Sequence, residues 1–313
     1  MDLARLCFAV VLVTVCSSVK SEEPGPDSYS SSIGESLMHL NAAVLCPTQN
    51  VAAWNCSRCT KGMFFNSPHE DIKVILEDSK NLMALVGVSD KNKLVYLVVR
   101  GTLDASVEDW LLDFEFWQRN YHPYGPHAYV HHGFLKAWSF LKAQVRNTIN
   151  YVFRRYPRAL EYEVAVTGHS LGGAISVVMM ADFMNNQTQT PMLFRTRSGE
   201  KRKLRMYTMG QPRTGNVNFS KAFTNQLLEV FDTKPYRVVN KADAVPHLPP
   251  KGNSLGAHYY HINTEVWIAP NGTTFVCDGS GEDPKCSDSL HLSQLKPSDH
   301  TGYYGLNAGP CSK

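Results

Sequence analysis

Residues 161–183 read EYEVAVTGHSLGGAISVVMMADF. Up to Thr167 the segment is short, aliphatic and bounded by polar residues, which predicts a strand over 161–167. From Leu171 it is apolar on most sides and free of proline, which predicts a buried helix over 171–185. Between them, Gly168-His169-Ser170-Leu171-Gly172 matches G-x-S-x-G. The five residues alone are a weak signal. A strand before them and a helix after them are what a nucleophile elbow requires, and this context makes the signal strong. The turn is so sharp that residues 168 and 172 have to be small. Ser170 is then held exposed at a sheet edge, at the start of the next helix. The Leu171 N–H would point into the site as one oxyanion donor, where the helix N-terminus also favours developing negative charge.

Upstream, residues 35–54 have helical spacing, with Leu37, Leu40, Val44 and Leu45 on one side. Short aliphatic runs at 73–77, 83–88 and 94–99 read as strands. Residues 133–155 read as a helix ending in Arg154-Arg155, with Pro157 beyond as a stop. Downstream, a strand over 203–209, a helix over 216–231 and a strand over 235–240 continue the alternation. Residues 259–268 and 273–277, separated by Pro270-Asn271-Gly272, look like a hairpin. Strands alternating with helices predict an α/β domain around a central sheet. No linker, repeat or low-complexity tract divides the chain, so residues 35–313 read as a single domain.

A serine hydroxyl is a poor nucleophile until a base takes its proton. In this type of fold the acid and then the histidine follow the serine along the chain. The acids on offer include Asp182, Asp232 and Asp243. Asp182 lies in the elbow's own helix and points the wrong way. Asp243, in NKADAVPHLPP, stands just past a predicted strand, where sites in open α/β sheets gather. The downstream histidines are His247, His258, His261, His291 and His300, and spacing does not rank them. His131, His132 and His247 read as structural.

The 313 residues are 43% hydrophobic and 19% charged, enough apolar material for a sizeable core and unlike a disordered chain. A formal net charge of +3 is too mild to point to nucleic acid. The basic run Arg195–Arg205 reads as a solvated loop, with a weak anionic-surface contact as its minor reading. At the N-terminus, Arg5 is followed by LCFAVVLVTVC and then Ser17 and Ser18. This reads as a secretory signal peptide over about residues 1–21 and not as a transmembrane anchor. Residues 22–34 read as a flexible mature N-terminus. Removing Cys7 and Cys16 from the 8 cysteines leaves six: Cys46, Cys56, Cys59, Cys277, Cys286 and Cys311. An even number in an exported chain suggests disulfides. Cys56 and Cys59 form a CxxC with no second copy, which argues against zinc. Asn55, Asn186, Asn218 and Asn271 are glycosylation sequons.

GHSLGG, RGT at 100–102, HHGF at 131–134, GQPRTGN at 210–216, VNKADAVPHLPP at 239–250 and DHTGYYG at 299–305 occur in that order. Together they resemble the fungal-type class 3 lipase family, over roughly residues 40 to 311. The resemblance implies an α/β-hydrolase-like single domain with a mainly parallel central sheet flanked by helices. It implies Ser170 as nucleophile, Asp243 as orienting acid and His300 as base, with Thr102 as the second oxyanion residue beside Leu171. It also implies the disulfides Cys46–Cys311, Cys56–Cys59 and Cys277–Cys286. No metal or organic cofactor is implied.

In that family the segment after the oxyanion strand forms a lid. Here it is residues 104–114, where Val107, Trp110, Leu111 and Phe114 fall at i, i+3, i+4 and i+7 on one apolar face. The expected activity is that of a secreted lipase acting on acylglycerols at a lipid–water interface. A feruloyl or other small-ester esterase on the same fold is the alternative. A non-catalytic lipid-binding relative is a further one, against which the complete set of triad residues counts.

Overall fold

The computed structural model describes residues 28–59, 71–101, 117–252, 256, 258–309 and 311. Aliphatic runs become β1 (Asp71–Glu77), β2 (Leu82–Ser89), β3 (Leu94–Val99), β6 (Glu163–His169), β7 (Leu204–Met209), β8 (Tyr236–Asn240), β9 (Glu265–Ile268) and β10 (Thr274–Val276). These eight pair in the order β1-β2-β3-β6-β7-β8-β9-β10. From β3 through β9 every pairing is parallel. The two pairings at the first edge and the one at the last are antiparallel. A separate ribbon joins β4 (Gln118–Asn120) to β5 (Tyr129–His131).

Strand alternation divides the core into two layers. Val95, Leu97 and Val99 of β3 face a cluster that contains Trp138, Ile175 and Phe223. Tyr96 and Val98 face the other side, with Leu37, Leu40 and Cys46. The first layer is built by α3 (His132–Arg155), α4 (Leu171–Asn185) and α5 (Val217–Phe231). In α3 the buried residues Phe134, Trp138, Leu141, Val145, Ile149 and Val152 recur every three or four positions, one face of a helix. The second layer is built by α1 (Ser31–Ala43), which packs on β3, β6 and β7. Being covered on both faces is why the central strands are continuous aliphatic runs.

The structure differs from the sequence expectations at four places. The basic run Arg195–Arg205, expected as a solvated loop, holds Arg202 fully buried, its guanidinium donating to the Ala159, Tyr162, Met192 and Arg195 carbonyls, and its last two residues begin β7. Residues 31–34, expected in a flexible leader, are the first turn of α1, capped by the Ser30 hydroxyl, which accepts the Ile33 N–H at 3.4 Å. The helix expected over 35–54 breaks at residues 44–47. Pro47 has no N–H to continue α1, and it instead precedes the short α2 (Thr48–Ala52). The hairpin strand expected from Tyr259 begins only at Glu265. The backbone before it is used elsewhere: the Tyr260 N–H donates to the Gly215 carbonyl at 2.8 Å, and His261 Nε2 donates to the Pro246 carbonyl at 2.7 Å.

Three disulfides are present, Cys46–Cys311, Cys56–Cys59 and Cys277–Cys286. The first ties the end of α1 to a residue 265 positions later. Among the described residues no helix is long and apolar enough to cross a membrane. The signal peptide over 1–21, Thr102 and the lid residues Val107, Trp110, Leu111 and Phe114 lie outside the described residues.

Candidate active site

Parallel register sets the candidate site. Val99 pairs with Gly168, and His169 pairs with Met209. Gly101, Ser170 and Gly210 therefore follow neighbouring strands at one sheet edge. Ser170 adopts φ 59° and ψ −132°, a conformation that costs a side-chain-bearing residue about 1–3 kcal/mol. The surroundings enforce it. The Ser170 N–H donates to the Met209 carbonyl at 2.8 Å. A Cβ on Gly168 would lie 2.3 Å from the Gly172 backbone, and one on Gly172 would lie 2.1 Å from the Val99 carbonyl oxygen. The elbow closes this tightly only because both positions lack side chains. Leu171 begins α4 directly after the serine.

Asp243 and His300 meet two strands away. Asp243 follows β8 and is fully buried; His300 lies in a short helical turn, Pro297–Thr301, and is 2% exposed. His300 Nδ1 donates to Asp243 Oδ2 at 2.8 Å. The Tyr303 hydroxyl donates to the same oxygen at 2.6 Å, and the Val245 N–H donates to Oδ1 at 2.9 Å. Burial alone would raise the Asp243 pKa. The His300 charge and the three hydrogen bonds outweigh it and leave the carboxyl below its ordinary value. Burial, followed by the Asp243 charge, pushes the Tyr303 hydroxyl well up, so it stays a donor. The His300 turn is pinned to the end of β8: the Asn240 side chain donates to the Asp299 carbonyl at 2.8 Å, and the Ala242 N–H donates to the Asp299 carboxylate at 3.2 Å.

Two further residues join the elbow to this pair. The His169 ring lies 4.5 Å from the His300 ring, centroid to centroid, and its Nε2 donates to the His300 carbonyl at 2.8 Å. Burial, then the neighbouring His300, drives the His169 pKa down to about 3, so this histidine is neutral. Gly210, with φ 60°, passes under the pair. A Cβ there would lie 2.8 Å from His300 Cε1 and 3.0 Å from Asp243 Oδ2.

Spacing alone does not rank the downstream histidines, and the family resemblance implies His300 with Asp243; the structure shows where the candidates lie. His300 has a ring nitrogen on Asp243. His261 is buried against the Pro246 carbonyl, and His258 and His291 lie at the surface. His131 caps α3, its Nδ1 accepting the Gly133 N–H at 3.1 Å. Asp182 pairs with Lys142 and Arg146, and Asp232 is exposed at the end of α5. His169, Gly210 and Tyr303 stand inside the motifs, but the linear pattern assigns them no role. Nothing in a linear pattern shows which neighbour a side chain will face. Glu265, Cys277 and Cys286 bring ligand-type atoms within 4.8 Å of one another, but the two sulfurs are joined in a disulfide and offer no thiolate.

A mainly parallel sheet with a serine elbow at its carboxyl edge defines an α/β-hydrolase fold. Residues 96–253 match the family model described as Lipase (class 3). The chain is 34% identical over 268 residues to a lipase of Rhizomucor miehei, covering 83% of this chain and 64% of the relative. It is 31% identical over 260 residues to a lipase of Rhizopus niveus, covering 82% and 59%. A solved structure of Rhizomucor miehei triacylglyceride lipase superposes with a TM-score of 0.69 at 32% identity, covering 91% of this chain and 99% of that one. Another, of a triacylglycerol lipase whose catalytic centre is formed by a serine protease triad, superposes with a TM-score of 0.71 at 31% identity, covering 91% and 99%. The chain belongs to the class 3 lipase family, in its fungal type. It spans roughly three-fifths of the length of these curated relatives, 64% and 59%.

Proposed function

We propose that this chain is a secreted serine carboxylic-ester hydrolase, a lipase that releases fatty acids from tri-, di- or monoacylglycerols. The observation that carries the reading is the buried Asp243–His300 hydrogen bond of 2.8 Å at the sheet edge that also holds the strained Ser170. In this reading His300 takes the Ser170 proton as the hydroxyl attacks the ester carbonyl. Asp243 holds the imidazole in one tautomer and stabilises its charged form. The Leu171 N–H and the Thr102 N–H receive the oxyanion, each contributing about 2.7–4 kcal/mol. The alcohol leaves, and water then hydrolyses the acyl-enzyme.

The lid assignment to residues 104–114 belongs to the same proposal. Opening an apolar helix face into water costs about 1.5–3 kcal/mol for each side chain exposed, and a lipid surface removes that cost. Turnover therefore rises when substrate exceeds its solubility, and replacing Trp110 and Leu111 with polar residues abolishes the rise. Export fits three disulfides, which persist in oxidising compartments. Asn55 and Asn271 are exposed and suited to carry glycans, whereas the Asn186 amide donates to Asp182 and the exposed Asn218 amide donates to the His127 carbonyl at 3.1 Å.

The test compares an emulsified long-chain triacylglycerol with a soluble feruloyl ester, for the parent and Ser170→Ala. Fatty-acid release that falls by about a million-fold in the variant is the expected result. Ser170-dependent turnover of the feruloyl ester alone would move the function to a small-ester esterase. Turnover of neither would overturn the proposal.

A further inference from the structure

The carboxyl edge of the sheet carries a second feature that the chemistry above leaves unused. Lys241 and Ala242 follow β8, Pro270 follows β9, and with Lys296 and Asp299 they line a cavity of about 500 Å³. Strands β6 to β9 are parallel neighbours, so this cavity lies at the edge that holds Ser170. From β6 to β8 is two strand spacings, about 10 Å.

Both lysines are exposed, and among the described residues neither has an ion-pair partner. Asp299 is the carboxylate in the lining, and it already accepts the Ala242 N–H. The chain that closes the cavity also carries Leu292, which is 83% exposed, the most exposed large hydrophobic residue among those described. Its turn is not loose. The His291 N–H donates to Gln294 Oε1 at 2.8 Å, and the Gln294 N–H donates to the His291 carbonyl at 2.8 Å. The Lys296 N–H then donates to the Ala242 carbonyl at 2.7 Å. A leucine is thus held out into solvent by a hydrogen-bonded turn, four residues before Lys296 in the chain, and among the described residues Lys296 and Lys241 have no ion-pair partner.

Apolar side chains flanked by lysines are the composition that seats peripheral proteins on anionic bilayers. We infer that the Leu292 turn and the Lys241–Lys296 cavity anchor the molecule on an anionic lipid surface. The leucine enters the acyl boundary, the lysines meet the headgroup phosphates, and the edge bearing Ser170 is brought against the lipid. The inference takes its purpose from the lipase reading, but its binding test does not depend on turnover.

The experiment uses the full chain carrying Ser170→Ala. Binding is measured to phosphatidylcholine vesicles with and without phosphatidylglycerol. The expected result is tighter binding to the anionic vesicles, weakening with salt. Lys241→Asn with Lys296→Gln lowers affinity for anionic vesicles by roughly 25-fold, about fivefold per lysine, and changes binding to neutral vesicles little. Asparagine suits the left-handed backbone of Lys241, φ 49°. Leu292→Ser lowers binding to both vesicles by about tenfold. Equal binding of parent and double variant to anionic vesicles would overturn the inference. So would release by inorganic phosphate with no dependence on Leu292, which would make the cavity a site for free anions. Each substitution is also placed in the Ser170 background and assayed on a soluble short-chain ester, where unchanged turnover reports an intact fold. Absence of that turnover in the parent would count against the hydrolase reading alone.

Discussion

Asp182 and Asp243 both follow the elbow serine and both are nearly removed from water, at 7% and 0% exposure, yet their surroundings differ in kind. Asp182 lies on the flank where α3 and α4 pack. It is met by two side-chain cations, Lys142 Nζ at 2.8 Å and Arg146 Nη2 at 2.5 Å. Asp243 lies at the carboxyl edge, and among the described residues no lysine or arginine pairs with it. Its partners are an imidazole, a phenol and one backbone N–H. A carboxylate neutralised by fixed cations clamps two helices together. One whose counter-charge arises only when an imidazole gains a proton responds to proton transfer. Similar burial therefore supports a structural clamp in one region and a candidate catalytic acid in the other.

The sharpest way to break this contrast is to neutralise each carboxylate in turn. Asp243→Asn is expected to lower kcat by about 10⁴-fold through the wrong imidazole tautomer, while the thermal transition persists. Asp182→Asn is expected to leave kcat within a few-fold and to cost about 1–3 kcal/mol of stability. Steady-state kinetics and denaturant melts on the same two preparations decide it. Equal kinetic effects would erase the distinction.

Tyr303→Phe removes one charge-assisted hydrogen bond from Asp243. Such bonds contribute about 1.5–3 kcal/mol, so kcat/KM should fall by roughly 10- to 100-fold. The acid limb of its pH profile should also move up as the carboxyl loses a donor. A fall in kcat/KM with the pH profile unmoved would reduce Tyr303 to a packing residue.

Acid sensitivity extends the contrast to the whole edge. His169 is held neutral, with a pKa of about 3 set first by burial and then by His300. The unfolded chain binds a proton near pH 6.5 that the fold rejects. Stability is therefore full above about pH 6.5 and falls as the pH drops from there towards 3. His169→Asn should flatten the melting-temperature curve within that window. Asp243 acts lower: its depressed carboxyl stabilises the fold above about pH 4 and loses that contribution as the pH falls through its lowered value.

The smallest effect is expected on the clamp. Lys142 is 38% exposed at its side chain, so solvent screens its pair with Asp182. Lys142→Met should change stability by only about 0–1 kcal/mol and leave kcat alone. A loss of several kcal/mol would mean that the clamp shares the dryness of the Asp243 region.

Much of the site was legible because it depends on short-range geometry. The elbow glycines are needed by a turn of five residues, and the strand and helix on either side have their own periodicity. The breaks in the elements were harder to read. Helical spacing runs through residues 44–47, but α1 ends at Ala43 and Pro47 has no N–H to carry it on. Residues 259–264 looked like strand, but their backbone bonds go to Gly215 and to the loop at Pro246. Thr102 and the lid remain part of the proposal for the site.

By itself the sequence determined the alternation of strands and helices, the elbow at Ser170, and the class of chemistry a serine in that setting can perform. All of these follow from residue periods and turn sterics, which act over a few positions. Only the tertiary structure decided which histidine meets Asp243, that Tyr303 and His169 hold the pair, and that Gly210 must be bare beneath it. Those facts depend on bringing together segments 57 and 131 residues apart. Such contacts are set by strand order and register, and their geometry is settled only when the whole sheet has closed.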